Sequence, residues 1–111
     1  STGSLFTNNP SNPNADYRNL GNNQMLYADP ATGEIKRFLV GPAQCEITGA
    51  HMTPDRKVMF INIQHPGESG SDEDLSATPK KFSSWPDGAS GGRPRSATIA
   101  ITCKDGGLIG T

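Results

Sequence analysis

The residues best suited to chemistry fall into four groups. Glu46 follows Cys45 and opens a run containing the β-branched residues Ile47 and Thr48, so its carboxylate stands at a strand end. Such a carboxylate is either a hard oxygen ligand of the kind Ca²⁺ or Fe³⁺ takes, or a solvated strand-end Glu. His65, in Gln64-His65-Pro66-Gly67-Glu68, ends a second apolar run. It either binds a metal or orients a ligand there, or it hydrogen-bonds a neighbouring loop. Arg93 and Arg95 flank Pro94. A guanidinium fork suits bidentate phosphate contact, and the plainer alternative is a pair of salt-bridged surface arginines. Cys45 and Cys103 are the only cysteines; buried free thiols are the simpler reading and a disulfide the alternative.

Other residues carry less. No Ser/His/Asp arrangement follows from chain order. The run Asp72-Glu73-Asp74 lacks the glycine and the closing glutamate of a calcium loop, so it reads with Glu68 as a solvated acidic loop. His51 falls mid-strand and reads as structural. Lys36 and Arg37 share the ambiguity of the arginine pair.

The elements that must position these groups are strands. Four are predicted close together, over residues 23–28, 34–40, 46–52 and 57–64, joined by Pro- and Gly-bearing turns. In the fourth, Val58, Phe60 and Asn62 alternate with Met59, Ile61 and Ile63, so the centre is apolar on both faces and cover is expected on both. Four antiparallel strands in this span have the length of one β-propeller blade, and a small sandwich closed by residues 97–103 and the N-terminal segment is the alternative. A strand end in a propeller can face the central channel, which is where Glu46 would stand. Ala97 to Cys103 alternates as a half-buried fifth strand. The expected organisation is a single domain or fragment: an Asn-rich loop at 1–22, a blade-like meander at 23–64, a long polar loop at 65–96, and a last strand and tail at 97–111.

Composition agrees. With 13 Gly and 9 Pro among 111 residues, turns are many and long helices few, so the chain is expected to be all-β and antiparallel. The net charge of −1 has no basic stripe behind it, which argues against nucleic acid. No apolar run is long enough for a membrane-spanning helix. The opening Ser1-Thr2-Gly3-Ser4 is not a signal peptide, and the chain reads as a piece of something longer. A lone blade with two open edges and apolar faces is expected to self-associate.

The chain resembles the C-terminal part of the PhoX-type alkaline phosphatases. The residues that carry the resemblance are GNNQML at 21–26, DPATGEIKRFLVGP at 29–42, CEITG at 45–49, FINIQHPGE at 60–68, SSWPDG at 83–88 and RPRSATIAI at 93–101. The resemblance implies a six-bladed propeller that hydrolyses phosphate monoesters on the periplasmic or extracellular side after Tat export, with calcium and iron as cofactors. It implies a metal-ligand role for channel carboxylates, and Glu46 lies in a matching motif. That family's proteins are several times longer, so only a last blade or two is expected here, and this portion alone is expected to be inactive.

Overall fold

The computed structural model describes residues 23–69 and 74–110. The expected Asn-rich loop over 1–22, with Asp72 and Glu73, lies outside the described residues. Within them the chain is all-β. Its strands are β1 (Gln24–Ala28), β2 (Ile35–Val40), β3 (Glu46–Met52), β4 (Val58–Gln64) and β5 (Ala97–Thr102). All pairings are antiparallel. Every strand lies within a residue or so of its expected place.

Their grouping differs from the expected four-stranded meander. β1 and β2 form one hairpin, and β3, β4 and β5 form a separate three-stranded sheet in that order. The break lies at Gly41-Pro42-Ala43-Gln44. Pro42 has no N–H to donate to a ladder, and Gln44 adopts a left-handed φ of 58°. The Cys45 amide bonds back to the Pro42 carbonyl, closing a turn where a ladder would otherwise continue. Asn23 ties the two sheets together: its carbonyl accepts from the Gly41 amide and its side-chain oxygen from the Ile47 amide. β5, expected in the sandwich alternative to fold over the sheet, instead joins it beside β4. That makes β4 the central strand, which accounts for its apolar richness.

Only one face of that strand is covered. Met59, Ile61 and Ile63 are buried with Cys45 and Ile109, and Met25, Leu39, Trp85, Ile99 and Ile101 pack around them. On the other face Phe60 is 40% exposed. Among the described residues the sheet thus has a packed side and an open side.

The bulge at Gly49 makes the packed side continuous. Ile47 pairs with Ile63 and Met52 with Met59, although Ile47 and Met52 are an odd number of residues apart. Strict alternation would put them on opposite faces. The register shift between Thr48 and Ala50 restores the parity, so Ile47 and Met52 both pack on the core, while Ala50, opposite Ile61, is itself exposed. Gly49 takes φ +50° there, and a Cβ on it would come within 2.9 Å of the Asn62 amide nitrogen. Across the sheet, Ile61 is fully buried between Ala50 and Ile99.

The described residues between β4 and β5 form a series of turns. Trp85 anchors it on the core, and Asp87 and Arg95 close it with two parallel hydrogen bonds of 2.9 and 3.0 Å. Cys45 and Cys103 are not joined in a disulfide. Topology keeps them apart: Cys45 precedes Glu46, opposite Gln64, whereas Cys103 follows Thr102, opposite Val58. The length of β4, about 20 Å, separates them.

Candidate functional site

The site is built where β3 begins and β4 ends. Glu46 pairs with Gln64 across the ladder, so the residue after β4 emerges beside the Glu46 carboxylate. That residue is His65. Its φ of +38° turns the chain sharply, and the Ser96 hydroxyl accepts its amide hydrogen at 3.0 Å. The Glu68 amide then donates to the His65 carbonyl at 3.1 Å, closing a turn that returns Glu68 to the same place. Gly67 permits it. Its φ is +79°, its amide bonds the Ala43 carbonyl, and a side chain there would press on Pro94 and Ser83 at 3.2 Å.

The result is an imidazole between two carboxylates. Nε2 of His65 lies 3.6 Å from Glu46 Oε2, and Nδ1 lies 3.1 Å from Glu68 Oε2. The second contact is close enough for ion pairing but off the line of a hydrogen bond, which leaves Nδ1 buried without a hydrogen-bonded partner. Glu46 and His65 are mostly enclosed, at 17% and 27% side-chain exposure, while Glu68 reaches solvent at 48%. An open cavity of about 250 Å³ adjoins His65 and Glu68 and is lined also by Leu75, Pro79 and Arg93; Glu46 stands behind His65 and does not line it.

Arg93 and Arg95 part company. The Arg93 guanidinium lies on the cavity and reaches the Ser76 carbonyl at 3.4 Å. Nearby Asp74 has its carboxyl held below the ordinary aspartate range, first by the Ser76 amide, then by the Ser76 hydroxyl, with the Arg93 charge adding to both. The fork of Arg95 is engaged by Asp87, whose carboxyl that hydrogen bonding depresses while the Arg95 pKa rises. The expected residues Glu46, His65 and Arg93 therefore meet around one end of the sheet, and Arg95 stands outside. His51, on β3 opposite Phe60, is exposed and far along the strand from this end.

Glu68 is the member that sequence reasoning missed, since it reads as the start of an acidic loop. The signal was the spacing His-Pro-Gly-Glu, a turn that brings its first and fourth residues together.

The donor set suits a hard cation only in part. Glu46 and Glu68 offer carboxylate oxygens, but they sit on opposite edges of the His65 ring, so no single ion takes all three. Among the described residues no three His, Cys, Asp or Glu side chains converge in a way that would hold a metal. A complete calcium or iron site would need ligands from outside them.

Fold and site together define an all-β antiparallel protein with an enclosed carboxylate–imidazole pair at one end of its main sheet. Comparison with known families places it further. The family model described as alkaline phosphatase PhoX matches residues 7–67, more than half of the chain, and the chain belongs to that family. No curated protein and no solved structure matches it. The matched span includes Glu46 and His65 and ends just before Glu68 and the arginines.

Proposed function

We propose that this chain is the C-terminal portion of a metal-dependent phosphatase that hydrolyses phosphate monoesters, and that Glu46 contributes one oxygen ligand to its calcium or iron centre. The observation that carries this reading is the enclosed Glu46–His65 pair beside the cavity lined by Arg93, within a chain of the PhoX family. His65 orients the Glu46 carboxylate. Arg93 supplies the phosphate contact, because Asp87 already holds Arg95. Glu46 and Glu68 would repel a phosphate dianion, so a bound cation is needed to bring the two together. The remaining ligands come from other parts of a propeller, and this portion alone is inactive. The enzyme works in the periplasm or outside the cell.

One observation favours a second reading, a non-catalytic module derived from a propeller: no three candidate ligands converge among the described residues. Metal content and p-nitrophenyl phosphate hydrolysis separate the two when measured on the longer phosphatase, wild type against Glu46→Gln. The first reading expects the variant to lose bound metal together with at least ~100-fold of its activity. Unchanged metal content and activity would leave Glu46 a structural strand end.

A further inference from the structure

We infer that the outer edge of β5 is a homodimerisation site, at which two copies of this chain join their three-stranded sheets about a two-fold axis through Ala100. β3 and β5 are the edges of that sheet. Proteins guard such edges with bulges, charges or covering chain. β3 is guarded by the bulge after Thr48 and by Asn23, which takes the Ile47 amide. In the hairpin, β1 and β2 are irregular after Met25, and β2 carries Lys36 and Arg37. Among the described residues β5 has none of these devices. Its register with β4 is unbroken from Ala97 to Thr102. It contains no charge and no proline, and four of its six residues, Thr98, Ile99, Ile101 and Thr102, are β-branched. No backbone hydrogen bond from the described residues reaches its outer edge.

The sequence of this edge identifies the partner. Thr98-Ile99-Ala100-Ile101-Thr102 reads the same in both directions. Antiparallel pairing about Ala100 therefore sets Ile99 opposite Ile101 of the second copy and Thr98 opposite its Thr102. Ile99 and Ile101 are the half-buried members of β5, while Thr98, Ala100 and Thr102 face outward. The isoleucines of both copies thus extend one apolar face, and the threonines pair on the other. Both pair types stabilise antiparallel sheets. Charge agrees: followed outward, the register puts Lys104 opposite Ser96 of the second copy and Asp105 opposite its Arg95, so no like charges meet. The contact is isologous, as a two-fold dimer requires. It is also small. Six residues a side compare with roughly 20–30 in a standard interface, so the dimer is weak and concentration-dependent.

Sedimentation velocity on the 111-residue chain across a concentration series tests this. The expected result is a monomer–dimer equilibrium. Ala100→Lys opposes two like charges on the axis and should weaken it by about tenfold or more. Leu26→Lys, on the exposed hairpin face, should leave it unchanged. Amide exchange on the wild type supplies a second measurement that needs no variant: alternate amides between residues 97 and 102 should slow as concentration rises. A chain that stays monomeric throughout, a dimer that survives Ala100→Lys, or exchange in β5 that ignores concentration would each overturn the inference.

Discussion

The turn that presents Glu46 depends on a glycine for reasons of space, and that dependence can be measured. A Cβ at Gly41 would intrude on the Cys45 sulfur and lie 3.2 Å from Ile47 Cγ1 and 3.3 Å from the Asn23 carbonyl oxygen. Cys45 is fully buried, so its sulfur has no free space to enter. Gly41 is not among the residues with positive φ, so alanine suffers no backbone penalty there and the cost is one of packing. Overpacking of this kind costs about 1–3 kcal/mol, and the stiffer unfolded chain returns about 0.4–1 kcal/mol. Gly41→Ala should therefore destabilise by about 1–2 kcal/mol. Cys45→Ala, which deletes a buried sulfur, should cost about 1 kcal/mol or more. In the double variant the new methyl occupies the space the sulfur leaves, and its own penalty should nearly vanish. The two losses should then fall short of additivity by about 1–2 kcal/mol. Urea unfolding followed by the single tryptophan, Trp85, which packs against the core, measures all three variants. Losses that add to within about 0.5 kcal/mol would show that Gly41 and Cys45 do not compete for the same space, and the account of the turn would fail.

Two further predictions rest on independent features. Arg56 closes the β3–β4 turn with φ +56°; Arg56→Gly should change stability by no more than about 0.5 kcal/mol, whereas Arg56→Val should cost about 1–2 kcal/mol, and equal effects in denaturant titrations would refute the strain argument. Asp87 titrates below an ordinary aspartate because Arg95 hydrogen-bonds its charged form; its contribution is present in full above the unfolded value of about 4 and is lost as pH falls through the lower folded value. The carboxyl carbon shift of Asp87 should accordingly titrate below pH ~4 and return toward it in Arg95→Ala, and a midpoint at the ordinary value in the wild type would contradict the pairing.

What was legible in the sequence was what local chemistry decides. The five strands follow from alternation, β-branched content and turn residues, and they lie where those signals place them. Their grouping was not legible, because the Gly41-Pro42 turn signals where a strand ends but not which strand pairs next, and the tie between the two sheets is made by a residue outside any strand. Asn23 uses its backbone and its side chain to satisfy two amides from different elements, and nothing in its neighbours announces that. The bulge was hidden for a related reason. A glycine inside a strand run signals only that something irregular is allowed, and the parity argument from Ile47 to Met52 requires the register of the opposite strand. In β4, apolar residues on both faces led to an expectation of cover on both, and the described residues cover one. The central position of the strand already explains its composition, and Phe60 stands on an open face.

The candidate site follows the same division. Glu46 and His65 were singled out because strand ends display side chains, and the Glu46–Gln64 register is what turns two separate suggestions into one contact. The arginines show the limit of motif reasoning. Arg93 and Arg95 look equivalent around Pro94, yet one faces the cavity and the other is spent on Asp87, a residue eight positions upstream. A fork already bound bidentately to a carboxylate must break two charge-assisted hydrogen bonds before it can take a phosphate, and Arg93, held by one long bond to the Ser76 carbonyl, need not. Which of two chemically identical side chains is left facing the cavity is thus set by the loop that anchors Trp85, through its Asp87.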